Sequence, residues 1–181
     1  MNEIYTPLED SYMLSEVLKK QIPKFLAKNK NLKFLEIGSG SGIQIQTALD
    51  SGIKKENIFS CDINKSAVKK CKSLGFQCIH SDLFSKINGK FDLIIFNPPY
   101  LPLDLREPKN SRIATTGGLK GSEITNRFLT QSKKHLAKNG RIFLVSSSLT
   151  KGINFLNFKR KIVAKKKMFF EELKVWELER F

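Results

Sequence analysis

The fold is decided by the stretch LKFLEIGSGSG at residues 32–42. Residues 32–37 have the apolar content of a buried strand, and the glycines that follow permit a tight turn. A helix is predicted directly afterwards, over residues 43–50. A strand, a glycine-rich turn and a helix form the first unit of a nucleotide-binding α/β sheet, in which a ligand approaches the backbone of the turn. The sequence therefore predicts an α/β fold with a ligand site at the end of this strand.

Two acidic residues beside the glycine turn indicate which ligand fits. A second predicted strand, over residues 57–61, ends at Asp62, where a carboxylate can accept both hydroxyls of a ribose. The spacing of the glycines is GxGxG, which departs from the GxGxxG of dinucleotide sites. Glu36 would repel a diphosphate and favour a cationic ligand. S-adenosylmethionine, an adenosine with a positively charged amino-acid tail, fits this pattern, and we expect it as the cofactor.

A further acid follows the third predicted strand. A helix is expected over residues 65–73 and a short strand over residues 76–80, and Asp82 and Leu83 come next. Asp82 can accept a hydrogen bond from an adenine amino group while Leu83 packs against the ring. The alternative is that Asp82 is an ordinary turn residue and Leu83 belongs to the core.

The motif Asn97-Pro98-Pro99-Tyr100 follows the apolar strand predicted over residues 91–96. Proline fixes its own φ and restricts the residue before it, so this segment is stiff where the strand ends. The Asn97 side-chain oxygen and a nearby backbone carbonyl can accept the two hydrogens of a planar NH2 group, with Tyr100 packed on its face. The alternative is a Pro-Pro turn without a binding role.

The remaining elements are predicted from periodicity and turn residues. Asp10 or Ser11 is expected to cap the first helix, and Pro23 to kink or break it. The alternative is that the carboxylates of Glu9 and Asp10 face a site. Residues 101–121 form a long connection, which we interpret as a substrate-facing lid because connections beyond about 12–15 residues are usually functional or disordered. Predicted helices cover residues 11–28, 122–138 (ended by Asn139-Gly140) and 151–161, and predicted strands cover residues 141–145, 162–169 and 173–179.

Composition bounds the class of protein. The net charge is +15, which favours a nucleic-acid partner or reflects a lysine-rich genome. The cluster at residues 159–161 and 165–167 is either a polyanion patch or a solvated edge. The number of cysteines is odd, and no two of them have CxxC spacing (Cys61, Cys71 and Cys78). This pattern favours reduced thiols in a cytoplasmic protein and no metal site. We expect no membrane span and no secretory signal.

Taken together, the residues resemble the class I S-adenosylmethionine-dependent methyltransferases. More narrowly, they resemble the HemK-like protein-glutamine methyltransferases of the short archaeal and eukaryotic branch. The resemblance implies a Rossmann-like, seven-stranded, mostly parallel sheet with an antiparallel edge strand and helices on both faces. It implies one domain over residues 1–181, with residues 1–30 closing over the cofactor. The motifs that carry it are Tyr5-x-Pro7-x-Glu9-Asp10-Ser11, Glu36-x-Gly38-Ser39-Gly40-Ser41-Gly42, Asp62, Asp82-Leu83, Asn97-Pro98-Pro99-Tyr100 and Thr116-Gly117-Gly118 with Gly121.

The resemblance implies methylation of the glutamine amide in the Gly-Gly-Gln motif of a class I peptide-chain release factor. Asn97 and the Pro98 carbonyl would then grip the amide, and Pro99 and Tyr100 would complete the catalytic and substrate-binding motif. A small zinc-binding activator subunit is a further expected partner. The residues expected to hold the cofactor are Ser11, Glu36, Gly38, Gly40, Asp62, Ile63, Asp82, Leu83 and Asn97.

Three alternatives stay open at this point. Asn-Pro-Pro-aromatic sites also serve adenine N6 and guanine N2, so the acceptor could be an exocyclic amine of RNA or DNA. The acceptor could be a lysine of a protein, although a flexible amine uses a planar grip poorly. The chain could also be a non-catalytic assembly factor that has kept the fold.

Overall fold

The computed structural model describes residues 4–106, 108–155 and 158–181. The helices are α1 (Glu9–Leu26), α2 (Ile43–Asp50), α3 (Lys65–Ser73), α4 (Lys109–Thr115) and α5 (Glu123–His135). The strands are β1 (Phe34–Ile37), β2 (Ile58–Asp62), β3 (Gln77–His80), β4 (Phe91–Phe96), β5 (Leu101–Pro102), β6 (Thr116–Gly118), β7 (Leu136–Ser147), β8 (Phe158–Lys167) and β9 (Glu172–Arg180).

Seven strands form one sheet in the order β3-β2-β1-β4-β7-β9-β8. The pairs among β3, β2, β1, β4 and β7 are parallel, and β9 runs antiparallel to both β7 and β8. The predicted seven-stranded, mostly parallel sheet is confirmed. The antiparallel strand, β9, lies one position inside the edge, and the edge itself is β8. Strands β5 and β6 form a separate parallel pair.

Helices cover both faces of the sheet, as the sequence predicts. Alternate side chains of β4 point to opposite faces, so Leu93 and Ile95 join one core and Ile94 and Phe96 join the other. The first core includes apolar residues of α1, α2 and α3, and the second includes those of α5. Strand β4 is therefore buried on both sides, which explains its uninterrupted apolar sequence.

The strand order reverses between β1 and β4, which lie side by side although β2 and β3 separate them in sequence. Ile37 pairs with Phe96, so both strands end at the same level. The glycine turn and the Asn97 motif therefore leave the sheet next to each other. Ligands of open α/β sheets bind at such a switch point.

Several predicted bounds are correct, because short amphipathic helices and buried strands have clear patterns. Helices α2 and α3 and strand β4 begin and end where the sequence predicts. Helix α1 begins at Glu9, with Leu8 as its N-cap, and continues through Pro23 without a break. The prediction that Asp10 or Ser11 caps this helix is therefore wrong.

Two predictions in the C-terminal half are also wrong. Residues 151–155 are not helical and residues 158–161 belong to β8, while residues 156–157 lie outside the described part of the chain. Helix α5 ends at His135 and β7 already begins at Leu136. Gly140 lies inside β7, where a Cβ would come within 3.0 Å of the carbonyl oxygens of Phe91 and Asp92. This glycine allows two strand backbones to approach at a register shift, and it does not cap a helix.

Within the described ranges, no helix combines the length and apolar character needed to cross a membrane.

Candidate active site

A cavity of about 370 Å³ opens at the carboxyl ends of β1, β2 and β4. It is lined by residues from the N-terminal segment, the glycine turn, the β2 and β4 ends and the hairpin between β8 and β9. Every site residue predicted from the sequence lies on its wall. These residues are Ser11, Glu36, Gly38, Gly40, Asp62, Ile63, Asp82, Leu83, Asn97, Pro98, Pro99 and Tyr100.

Asp62 anchors the glycine turn from the neighbouring strand. Its Oδ2 accepts a hydrogen bond of 2.8 Å from the Gly40 amide, and its Oδ1 accepts one of 2.7 Å from the Asn64 amide. Burial raises the pKa of Asp62, and the amides of Asn64 and Gly40 oppose that shift. The carboxylate therefore stays beside the turn with lone pairs left for further donors.

The turn itself needs glycine at three places. Gly38, Gly40 and Gly42 have φ values of +70°, +49° and +88°, in the left-handed region that other residues rarely adopt. The amides of Gly38 and Ser39 both donate to the Cys61 carbonyl, which ties the turn to β2. The backbone is thereby exposed to the cavity without side chains in the way.

Glu36 carries an unused acceptor at the floor of the cavity. Its side chain is 4% exposed, and its Oε2 is buried with no hydrogen-bond partner among the described residues. Burial raises the pKa of Glu36 well above its usual range, and the charge of Asp62 raises it further. A buried acceptor of this kind is costly unless a donor meets it. A cationic amino group in the cavity would satisfy it, so the residues present fit the expected cofactor.

Leu83 adopts a strained backbone conformation at the other side of the cavity. Its φ is +46°, which is unusual for a residue with a branched side chain. Its carbonyl accepts from both the Cys61 thiol and the Ser81 hydroxyl, at 3.3 and 3.0 Å, and these bonds hold the conformation. Strain fixed in this way is typical of ligand sites.

The neighbouring Asp82 has a partner that the sequence did not indicate. Its Oδ2 lies 2.6 Å from Nη2 of Arg127 on α5. Both side chains are about half exposed and line the cavity. Arg127 therefore orients the carboxylate that the sequence assigns to adenine recognition.

Asn97 is held by a single acid from the N-terminal helix. Its Nδ2 donates to Oδ2 of Asp10 at 2.9 Å and lies 3.5 Å from the Ser11 hydroxyl. A carboxylate only accepts hydrogen bonds, so it must face the NH2 end of the amide. The Asn97 Oδ1 atom is then directed elsewhere; it is buried and has no partner within the described part of the chain.

Asp10 lines the cavity, although the sequence favoured a helix-capping role for it. It is 3% exposed and accepts hydrogen bonds from the hydroxyls of Tyr5 and Tyr100 as well as from Asn97. Burial raises the pKa of both tyrosines, and the charge of Asp10 raises it further. The sequence feature that could have indicated a site role for Asp10 is the acidic pair Glu9-Asp10, but helix capping explains that pair equally well.

The segment that carries Asp10 is fixed to the glycine-turn helix. Gln44 on α2 donates to the Ser11 carbonyl at 2.8 Å and accepts from the Ser15 hydroxyl at 3.0 Å. The N-terminal helix therefore brings Asp10 and Ser11 to both the cofactor end and the Asn97 end of the cavity.

Other cavity residues lie far away in sequence. Glu171, in the hairpin between β8 and β9, lines the cavity near Tyr5 and Tyr100. Ala114 and Thr115, at the end of α4, line it from the 101–121 connection. In the part of the chain that the structure describes, no group of three or more His, Cys, Asp or Glu side chains could hold a metal ion.

Comparisons with known proteins agree with this geometry. The family model described as methyltransferase small domain matches residues 12–170. A protein of Methanocaldococcus jannaschii, whose assigned activity is protein N5-glutamine methyltransferase, is 38% identical over 97% of this chain and 93% of its own. The eRF1 methyltransferase catalytic subunit mtq2 of Schizosaccharomyces pombe is 31% identical over 82% of this chain and 74% of its own. The solved Mtq2–Trm112 complex of E. cuniculi aligns over 100% of both chains, with a TM-score of 0.72 at 22% identity.

The fold and the cavity define a class I S-adenosylmethionine-dependent methyltransferase. The reversed strand order, the glycine turn and the acids at the β1 and β2 ends are the features of that class. Within it, the chain belongs to the HemK-like protein N5-glutamine methyltransferases of the archaeal and eukaryotic type.

Proposed function

We propose that this chain transfers a methyl group from S-adenosylmethionine to the side-chain amide nitrogen of the glutamine in the Gly-Gly-Gln motif of a class I peptide-chain release factor. The activities of the relatives support this substrate, since one is an eRF1 methyltransferase subunit and another is assigned to protein glutamine. The observation that carries the proposal is the state of Asn97. Its NH2 end is bound to Asp10, and its buried Oδ1 is left to accept an N–H.

A carboxamide fits that acceptor better than other nitrogen groups. Its NH2 is planar, so one hydrogen can meet Asn97 Oδ1 and the other a backbone carbonyl such as that of Pro98. Tyr100 lines the same wall, with its hydroxyl directed to Asp10 at 3.4 Å. The grip fixes the plane of the amide, and its nitrogen then faces the cofactor end of the cavity.

The other end of the cavity would hold the cofactor. Glu36 would accept from its amino group, Asp62 from its ribose hydroxyls, and Asp82 and Leu83 would meet the adenine. Gly38, Gly40, Ser11, Ile63 and Asn97 would complete the wall, and the segment of residues 1–30 would close over it in one domain spanning residues 1–181. The buried, unpartnered Glu36 Oε2 supports this assignment within the described residues.

When bound, S-adenosylmethionine supplies an activated methyl group on a sulfonium. The chain's own task is alignment, because orientation alone can remove several kcal/mol of a reaction barrier. Asn97 holds the acceptor nitrogen in line, and Asp10 holds Asn97. The acceptor nitrogen would take the methyl group from the sulfonium, which would leave as a neutral thioether, and the amide proton would be lost to solvent.

The end of the cavity that holds Asn97, here called the acceptor end, carries negative charge, which supports a protein substrate over a nucleic acid. Asp10 and Glu171 both line the cavity there, and carboxylates repel a phosphodiester backbone. They would also keep a lysine amine protonated, without the lone pair that methyl transfer needs. The basic cluster at residues 159–161 and 165–167 lies on the edge strand β8. There, Lys161 pairs with Glu177 and Arg160 stacks on Phe155. Lysines on an edge strand also discourage sheet-to-sheet aggregation.

Methyl transfer from labelled S-adenosylmethionine tests the proposal. The acceptors would be the release factor, the same factor with its Gly-Gly-Gln glutamine changed to alanine, and bulk RNA. We expect label on the intact factor alone. Label on RNA, or on the glutamine-free factor, would contradict the proposed substrate.

We also propose that the chain works together with a small partner subunit, a zinc-binding activator. The E. cuniculi relative was solved as a complex with Trm112. We also place the reaction in the cytoplasm, where release factors act, which the three buried free cysteines support. Copurification with the tagged chain, followed by a zinc assay and activity with and without the copurified subunit, tests the partner.

A further inference from the structure

The hairpin between β8 and β9 reaches the acceptor end of the cavity. Residues 168–171 form its turn, closed by a hydrogen bond of 2.7 Å from the Met168 amide to the Glu171 carbonyl. Helix α1 packs against both strands of the hairpin. The turn therefore lies beside the segment that carries Tyr5 and Asp10.

Glu171 points from this turn into the cavity. It lies on the wall with Tyr5 and Tyr100, and its charge contributes to the raised pKa of both hydroxyls. Its Oε2 is buried and has no hydrogen-bond partner in residues 4–106, 108–155 and 158–181. A buried carboxylate oxygen without a donor is costly, and a donor from a bound ligand would satisfy it.

The two residues before Glu171 point outwards. Phe169 and Phe170 are 94% and 85% exposed, and their rings contact each other edge to face with centroids 5.0 Å apart. On the 101–121 connection, which also lines the cavity, Leu105 and Leu119 are 79% and 77% exposed. Exposed apolar side chains grouped around a site mark an interaction surface. Phe169 and Phe170 are therefore exposed apolar side chains directly before the cavity residue Glu171 in the chain.

We propose that the turn at residues 168–171 docks the protein substrate: Glu171 accepts a main-chain N–H beside the acceptor glutamine, and Phe169 and Phe170 pack on the surrounding surface of the release factor. This inference rests on the proposed function. Two glycines before the glutamine have no side chains, so their amides can approach a carboxylate closely. A carboxylate is a strong acceptor for such amides, and its charge opposes an RNA backbone in the same place.

The steady-state kinetics of Glu171→Ala, with Glu172→Ala as the matched control, test the contact inside the cavity. Glu172 is the next residue, but its carboxylate pairs with Lys174 outside the cavity. We expect Glu171→Ala to raise KM for the release factor about tenfold, the loss of one hydrogen bond to a charged group. The Kd for S-adenosylmethionine should match the wild type, and the thermal unfolding midpoint should not fall, because the variant removes a buried oxygen without a partner. A weakened cofactor affinity would place Glu171 at the cofactor end and overturn the inference.

The exposed rings need a different comparison, between the intact factor and a short Gly-Gly-Gln peptide. The double variant Phe169→Ser, Phe170→Ser should raise KM for the intact factor and leave KM for the peptide unchanged. Glu171→Ala should raise KM for both. Equal kinetics of all variants and wild type would overturn the inference while leaving the proposed function intact. A wild-type enzyme that labels RNA instead of the factor would overturn both.

Discussion

The Nδ2 atom of Asn97 donates a 2.9 Å hydrogen bond to Oδ2 of Asp10, so the end of β4 and the first turn of α1 share one partly buried contact. This contact decides which end of the Asn97 amide faces the cavity. The remaining end, Oδ1, is the acceptor on which the proposed glutamine grip depends. A residue from the N-terminal segment thus sets the chemistry of a motif in the middle of the chain.

Asn97→Ala should lower kcat far more than it weakens cofactor binding. The lost contact is to the reacting group, and removing one preorganised polar contact costs on the order of 10²–10³ in rate. Single-turnover methylation and calorimetry with S-adenosylmethionine measure the two effects separately. Near-normal turnover would remove Asn97 from the proposed role.

Asp10→Asn should lower kcat by about tenfold or more, because a neutral amide replaces the charged acceptor of four side-chain donors. The neighbouring Glu9→Gln removes the same charge from the same helical turn and is the control. We expect the loss in Asp10→Asn alone. Equal activities of the two variants would show that Asp10 does not hold Asn97 in the working orientation.

Asp62→Ala should weaken the binding of S-adenosylmethionine, since it removes the acceptor proposed for the ribose and releases the Gly40 amide. A hydrogen bond to a charged group contributes about 1.5–3 kcal/mol, so a loss of about tenfold or more in affinity is expected. Asp50→Ala, an exposed acid on α2, is the comparison. Unchanged calorimetric affinity in Asp62→Ala would exclude Asp62 from the cofactor site.

Glu36 should make both stability and cofactor binding depend on pH. Its folded-state pKa is raised by burial, so its favourable contribution to folding is present below the unfolded pKa and is lost as pH rises through the folded pKa. Glu36→Gln should therefore unfold at a higher temperature than the wild type at neutral pH, and the two should converge in acid. Cofactor binding needs the ionised form, so wild-type affinity should fall as pH falls through the raised pKa.

Calorimetry in two buffers of different ionisation enthalpy would detect this linkage as proton release on binding. The release should be absent in Glu36→Gln, which should also bind the cofactor weakly. A pH-independent wild-type affinity would contradict the assignment.

Gly117→Ala should disrupt the Asn97 motif from outside the cavity. A Cβ at this position would lie 2.5 Å from the Pro99 carbonyl oxygen and would also meet the backbone of Gly121. The motif must then shift, and a misplacement of about 1 Å can cost about 10² in rate. Gly89→Ala is the control for backbone strain without a clash, because its φ is +90° while a Cβ there meets nothing within 4 Å. Comparable kcat values in the two variants would show that the motif tolerates the displacement.

Most of the sheet could be predicted from the sequence, and the residues proposed for the site lie on the wall of one cavity, because both depend on local sequence. Glycine spacing, an acid at the end of a strand and an Asn-Pro-Pro-aromatic motif each report on their own neighbourhood. The predicted residues all line one cavity because parallel strands end at one edge.

The failures depend on contacts that sequence neighbours do not reveal. Gly140 is required by the carbonyls of β4, so a helix C-cap was a reasonable but wrong interpretation. The basic segment after residue 157 forms a strand because β9 pairs with it. Asp10 reaches the cavity through the packing of α1 against α2, and Glu171 reaches it through the β8–β9 hairpin, and no local pattern records either contact.

The position of β9 between β7 and β8 has a consequence for how the molecule folds. Strands β8 and β9 are joined by a short turn and can pair on a microsecond timescale, whereas β4 and β7 must close a longer loop. The hairpin can therefore form early and dock onto β7 as a unit. Glu171 lies in the turn of this hairpin, so its side chain reaches the cavity only when the hairpin docks onto β7.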